Sequence, residues 1–209
     1  MVTTVLNTKP NFTCDGNATY VIAGDLGGIG QNIAAWLVDL GAQTLLVLSR
    51  SGAKGPEVMK FINSLHSKGA KAIAPACDIS NESVLRKVLE EWQPQLPPIK
   101  GRIQAAMVLQ DRTFESMSYK DWEAAVKPKA QGSWNLHCLW PMGMEFFILL
   151  SSIWGIIGTH GKANYAAGNT FQDTLARYRV NLGESAASLD LGLVIYTGAV
   201  ANNPNLLPR

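Results

Sequence analysis

No part of this sequence is apolar for long. Runs such as Phe146–Leu150 fall far short of the roughly 20 residues that a helix needs to cross a bilayer. Neither sign of charge dominates either. The 18 Lys and Arg stand against 16 Asp and Glu, and a net charge of +2 offers no electrostatic case for nucleic acid or an anionic membrane. No basic cluster is interleaved with aromatic residues that could stack on bases. The cysteines, Cys14, Cys77 and Cys138, are an odd number without metal-ligand spacing, so they read as reduced thiols of a cytoplasmic protein. His66, His137 and His160 show no ligand spacing, and no metal is expected. Met1–Asn17 has no apolar run, which argues against a secretory signal there. Internal repeats and low-complexity segments are absent as well. With 47% hydrophobic and 16% charged residues, 209 positions suffice for one domain with a sizeable core, and disorder is excluded over most of the length.

What is present is an alternation. Short β-prone runs are expected at Thr19–Ala23, Thr44–Leu48, Lys71–Cys77, Arg102–Val108, Phe146–Leu150 and Ala186–Leu193. Helical spacing separates them. Ile29–Leu40 carries Ile33, Trp36 and Leu37 on one stripe and stops at Gly41. A second helix is predicted over Glu57–Lys68, ahead of Gly69. Ser80 reads as the cap of a third, backed by Val84, Leu85, Val88 and Leu89. Gln93–Pro98, with three prolines, reads as a loop. Ser118 caps a longer helix that Pro128 is expected to bend, and Ala163–Leu182 forms the last. The tryptophans read as core or loop packing. Strands that alternate with helices imply right-handed crossovers and a parallel sheet covered on both faces. The expected fold is therefore α/β, a Rossmann-like doubly wound sheet in one domain.

The first strand runs into Gly24-Asp25-Leu26-Gly27-Gly28-Ile29-Gly30, with glycines spaced G-x-x-x-G-x-G between strand and helix. Such a turn lets backbone N–H groups and the positive helix N-terminus approach a pyrophosphate. After the second strand, Ser49-Arg50 stands where an acid would bind a ribose 2′-hydroxyl. A hydroxyl and a guanidinium suit the 2′-phosphate of NADPH instead. Asp78 follows the third strand, where it either accepts from an adenine amino group or starts the turn before Ser80.

The most informative stretch is Ser151-Ser152-Ile153 through Lys162-Ala163-Asn164-Tyr165-Ala166-Ala167-Gly168-Asn169. Ser152 ends a strand beside the nucleotide turn. Tyr165 begins a helix thirteen residues on, and Asn169 faces the same way one turn later. A phenol, a hydroxyl and a nearby ammonium can together reduce a ketone. The phenol protonates the carbonyl oxygen, the hydroxyl holds it, and a lysine lowers the phenol pKa from about 10 and restores its proton. Ser151 is the alternative hydroxyl, but the spacing to Tyr165 favours Ser152.

Tyr-Ala-Ala-Gly-Asn resembles the Tyr-x-x-x-Lys motif of short-chain dehydrogenases/reductases, with Asn169 where lysine normally stands. That exchange resembles the ketoreductases of polyketide and fatty-acid synthases, whose lysine sits on the preceding long helix. Lys129, within Lys127-Pro128-Lys129-Ala130, matches it, with Lys127 a near neighbour. The likeness runs from about Thr19 to Val200 and is close to fungal highly reducing synthases. It implies NADPH-dependent reduction of a β-keto group on a polyketide intermediate tethered through phosphopantetheine to an acyl carrier protein. Neighbouring synthase domains would be the other partners. It further implies catalytic Tyr165, Ser152, Lys129 and Asn169. The implied cofactor residues are Gly24, Leu26, Gly27, Gly28, Ile29, Gly30, Ser49, Arg50, Cys77, Asp78, Ile79, Ala105, Ala106 and Met107. A free-standing reductase of small ketones and a non-catalytic cofactor-binding remnant are the competing readings.

Three positions depart from the pattern. Asp25 places a carboxylate near the phosphates, Lys162 replaces a usual glutamine, and Gln110 replaces the first acid of a Leu-Asp-Asp element whose second acid is Asp111. The organisation expected is a lead-in over 1–18, a catalytic domain over 19–200 and a tail over 201–209. The family's helical lid and seventh strand would have to follow the sixth strand. Val194–Arg209 reads as too short and too proline-broken for both, which implies a weak reductase with an exposed edge strand and a mobile Asn202–Arg209.

Overall fold

The structure is a computed structural model and describes residues 12–24, 26–140 and 142–194. In chain order the elements are β1 (Thr19–Ala23), α1 (Gly28–Asp39), β2 (Thr44–Leu48), α2 (Pro56–Ser67), β3 (Lys71–Ile73) and α3 (Glu82–Trp92). There follow β4 (Ile99–Gln104), α4 (Tyr119–Cys138), β5 (Phe146–Ser152), the short α5 (Trp154–Ile157), α6 (Ala163–Asn181) and β6 (Ala187–Leu191). All pairings are parallel, and the sheet order is β3-β2-β1-β4-β5-β6. The predicted Rossmann-like α/β fold is the one observed. The chain reverses its direction of winding between β1 and β4, and doubly wound sheets bind ligands at the strand C-termini beside that point.

Every residue of β1 and β2 is buried, as strands covered on both faces require. One apolar layer joins Tyr20, Ile22, Leu45 and Val47 to Leu37 of α1 and to Ile62 and Leu65 of α2. The opposite layer joins Val21, Leu46, Leu48, Phe147 and Leu149 to Leu85 of α3, Leu136 of α4 and Leu175 of α6. Among the tryptophans, Trp140 is buried, whereas Trp36 and Trp134 are about half exposed and do not pack in the core.

Several boundaries differ from the sequence expectations. β3 stops at Ile73 rather than Cys77, because the Ala74 carbonyl accepts from Ala53 N and Pro75 has no N–H to give. β4 spans Ile99–Gln104 rather than 102–108 and leaves the sheet where its neighbour β1 ends. Asn81, not Ser80, caps α3: its side chain accepts from Val84 N at 3.2 Å, while Ser80 Oγ donates to Asp78 Oδ1. Residues 93–95 of the expected loop form a 3₁₀ turn, as do 114–116, and α5 was not anticipated. Ser118 does cap α4, in a reciprocal capping box with Asp121. That helix runs unbroken through Pro128. The expectations for 195–209, the lid and edge among them, and the effect of Asp25 lie outside the described residues.

Candidate active site

The turn after β1 is held tight. Gly24 N donates to Leu48 O at 2.9 Å, and Gly24 has a φ of +142°, a conformation that side-chain-bearing residues rarely adopt. A Cβ there would come within 2.9 Å of the Ala105 carbonyl carbon and 3.0 Å of Ala106 N. The close approach of β1 and β4 therefore depends on this glycine. α1 starts from Gly27 with no side-chain cap and no acid in its first turn, and a Cβ on Gly27 would meet nothing within 4 Å. Its first N–H groups are left for an anion, as a pyrophosphate requires. Gly24→Ala is expected to lower stability by about 1–3 kcal/mol and weaken cofactor binding tenfold or more. Thermal melts and a cofactor titration check this, and an unchanged affinity would remove the turn from the binding site.

Gly24, Ser49, Arg50, Cys77, Asp78, Ile79, Ala106 and Met107 line one cleft with Leu48, Val108 and Pro128. Eight of the fourteen residues expected at the cofactor thus converge there. Ala105 lies behind Gly24, and Leu26, Gly27, Gly28, Ile29 and Gly30 form the turn and the start of α1 outside that cleft. Asp78 Oδ1 accepts from both Ser80 N and Ser80 Oγ, so the residue holds its turn while also lining the cleft. Ser49 Oγ accepts from Gly52 N at 3.0 Å, and Arg50 is exposed at the rim. Burial pushes the Cys77 thiol up to about 12, which leaves it protonated and inert.

The four side chains expected to carry the chemistry gather at the C-terminal end of β5. Ser152 is its last residue, and its Oγ donates to Leu191 O at 3.3 Å. Tyr165 stands in the first turn of α6 with 8% exposure, its hydroxyl 3.8 Å from Met107 Sδ on the cleft wall. Lys129 arrives from α4. It is 2% exposed, lies 5.3 Å from the Tyr165 ring centroid, and donates to Leu150 O at 2.8 Å and Gln172 Oε1 at 3.0 Å. Lys127 is by contrast half exposed and pairs with Glu123 one helical turn back. Asn169 donates to Tyr165 O at 2.8 Å, and its Oδ1 is buried without a partner. Ser151 Oγ is spent on the Asn169 carbonyl at 3.3 Å.

Burial pushes the Tyr165 phenol up, and the polar side chains of Ser152 and Asn169 beside it pull it partly back. This corrects the expectation that a lysine lowers it. Lys129 faces the ring and its ammonium is committed to Leu150 and Gln172. Burial pushes Lys129 itself down to about 7, so it can take up or release a proton near neutrality. Sequence reading missed Gln172 and Gly168. A Cβ on Gly168 would come 3.0 Å from Lys129 Cβ, so this glycine lets α4 and α6 approach closely enough to bury the lysine. The signal for Gln172 was available, since positions 165, 169 and 172 form one polar stripe at helical spacing.

A parallel sheet in this order, a glycine turn beside an uncapped helix, and a Ser–Tyr–Lys–Asn cluster at the strand ends define a reductase domain of the short-chain type. The chain belongs to the KR domain family, whose pattern matches residues 18–195. It is 45% identical over 195 residues to highly reducing polyketide synthase 40 of Fusarium mangiferae, covering 93% of this chain and 8% of that protein. To the highly reducing polyketide synthase poxF of Penicillium oxalicum it is 49% identical over 189 residues, covering 90% and 8%. The chain therefore spans less than a tenth of the length of these fungal relatives. Among solved structures it superimposes on a ketoreductase from the first module of phoslactomycin biosynthesis in Streptomyces sp. HK803. The TM-score is 0.82 at 31% identity, over 87% of this chain and 42% of that one. An A1-type ketoreductase gives 0.83 at 28% identity, over 90% and 40%. Domains of this family bind a nicotinamide cofactor. Among the described residues no helix is long and apolar enough to cross a membrane, and no His, Cys, Asp and Glu group could hold a metal ion.

Proposed function

We propose that this domain reduces the β-keto group of a polyketide intermediate to a β-hydroxy group with NADPH. The intermediate is held as a phosphopantetheine thioester on an acyl carrier protein. The observation that carries the reading is the convergence of Tyr165, Ser152, Lys129 and Asn169 beside the cleft that Gly24, Ser49 and Arg50 line. The catalytic unit spans 19–200 and works in the cytoplasm beside other synthase domains. Its relatives are synthases of which it matches only a small part.

When bound, the cofactor supplies a hydride to the carbonyl carbon. The chain's own groups handle the oxygen. Ser152 Oγ turns its one hydrogen from Leu191 O, where it rests at 3.3 Å, to the carbonyl oxygen, which positions that oxygen against Tyr165. The phenolic O–H bond breaks as the alcohol O–H forms, so the negative charge moves to the phenolate rather than staying on the substrate. A phenol held above its ordinary pKa is fully protonated at neutral pH and ready to give that proton. Lys129, with its depressed pKa, returns it. Asn169 anchors the backbone of Tyr165. A free-standing small-ketone reductase is disfavoured by the lysine standing on α4 rather than α6, and a remnant by the presence of all four groups. Turnover of a β-ketoacyl thioester against a small ketone such as a decalone separates these readings. Reduction of the ketone alone would overturn the proposal.

The choice of NADPH rests on Arg50 at the rim and on the absence of an acid after β2. Arg50→Ala is expected to weaken NADPH by tenfold or more and NADH by no more than about twofold, the loss of one charge-assisted contact. Equal losses in parallel titrations would remove Arg50 from 2′-phosphate recognition.

A further inference from the structure

Asn164 precedes Tyr165 and is fully buried, yet it belongs to none of the roles described so far. Its Nδ2 donates to Gln110 O at 2.8 Å and to Asp121 O at 3.0 Å, and its Oδ1 accepts from Tyr165 N at 2.8 Å. Both amide hydrogens are therefore spent on backbone carbonyls of two other segments. One is the loop after β4, which carries Met107, the residue against which the Tyr165 hydroxyl rests. The other is the first turn of α4, the helix that delivers Lys129. A single amide thus joins the three segments that bring together the phenol, the cleft wall and the buried lysine. Weaker ties surround it. Arg112 N donates to Gly161 O at 2.9 Å, Gln110 Nε2 donates to Asp121 Oδ1 at 2.8 Å, and Lys162 pairs with Asp111. That ion pair is 18% and 36% exposed, so water screens it and it holds little. The buried amide has no water to replace it, and its loss would strand the Gln110 carbonyl and the Tyr165 N–H.

We infer that Asn164 is a positioning residue, whose side-chain amide sets where Tyr165 stands relative to the cofactor cleft and Lys129. The inference rests on the reading of Tyr165 as the proton donor. Asn164→Ala is expected to lower kcat on a β-ketoacyl thioester about tenfold, with KM and NADPH affinity within about twofold, since the damage is to alignment. Asn164→Asp adds a readout that a merely structural role would not move. The isosteric carboxyl can donate only while protonated, and a carboxylate would face two carbonyl oxygens. Its charged surroundings are Asp111, Arg112 and Lys162 around the mouth, Asp121 on α4, and Lys129 across the Tyr165 ring. Burial and the two neighbouring carboxylates keep the proton on above the usual carboxylate range.

The turnover of this variant relative to the parent is thus expected to fall about tenfold as pH rises from 6 to 8, while that of Asn164→Ala stays level. Lys162→Gln should change turnover no more than about twofold. Circular dichroism at each pH reports the folded fraction in the full chain. Parental kcat in Asn164→Ala, or a loss that only follows the folded fraction, overturns the inference. Tyr165→Phe measured alongside separates the two claims. If it is inactive while both Asn164 variants match the parent, only this inference falls. If it remains active, the reading of the site falls and takes this inference with it.

Discussion

Tyr165→Phe is expected to lower reduction of a β-ketoacyl thioester by about 10²–10⁴-fold, the contribution of one general acid. NADPH affinity should stay within about twofold, because on the proposed reading the phenol meets the substrate carbonyl rather than the cofactor. The variant removes one oxygen and keeps the ring. That ring is 8% exposed and packs over the buried lysine, so the apolar contacts survive. Among the described residues the hydroxyl makes one long contact, to Met107 Sδ at 3.8 Å. No fully buried partner depends on it alone, so the thermal midpoint should move by only a few degrees. Steady-state NADPH oxidation gives the rate and a fluorescence titration gives the affinity. Retained turnover would mean that another group, or water, protonates the oxygen. A joint loss of turnover and NADPH affinity would mean that the variant disturbs the cleft.

The sequence made the order of strands and helices legible because β1, β2 and β5 are dense in apolar residues and glycines stop the helices between them. The start of β4 was not legible, for a physical reason. The expected strand begins at Arg102, three residues late, and the alternating polar residues Lys100, Arg102 and Gln104 hide how deeply it lies: Arg102 and Gln104 are fully buried. Arg102 lies 4.3 Å over the Phe147 ring and donates to the Leu136 carbonyl. Gln104 donates to Pro128 O and accepts from Ala106 N. Tertiary partners take up Gln104 and one nitrogen of Arg102. The Arg102 Nε and Nη2 have no hydrogen-bond partner among the described residues and lie against the Phe147 and Trp140 rings, and a one-dimensional pattern shows none of this. The same limit acts at the site. Tyr165, Ser152 and Asn169 stand out through local spacing. Gln172 shows only the helical stripe it shares with 165 and 169, and Asn164 shows no local signal, because its partners lie on other segments. Lys129 was found through resemblance, and its burial follows from the approach of α4 to α6 at Gly168.

That burial carries the other large expected effect. Lys129→Met should cut turnover by about 10²-fold or more through loss of the proton source, and it should also change how stability depends on pH. Burial depresses the lysine from an ordinary 10.5 to about 7. Below about pH 7 folded and unfolded chains both carry the charge, and the fold bears the cost of burying it. Between about 7 and 10.5 the unfolded chain binds a proton that the folded chain lacks, so this group raises stability with pH across that window. A gap of that width corresponds to roughly 5 kcal/mol at the most. Methionine fills the same space without charge and leaves Leu150 O and Gln172 Oε1 without their donor, at about 1–3 kcal/mol each. Net stability near pH 7 should therefore change little, while the rise toward pH 10 should flatten. Lys127→Met, on an exposed lysine paired only with Glu123, should leave both turnover and the pH slope as they are, within about 0.5 kcal/mol. Urea unfolding of the three proteins at a series of pH values separates the cases. If parent and Lys129→Met rise in parallel, the ammonium is not held in a desolvated site. If Lys127→Met is instead the variant that loses turnover, the proton is returned from the other side of Pro128.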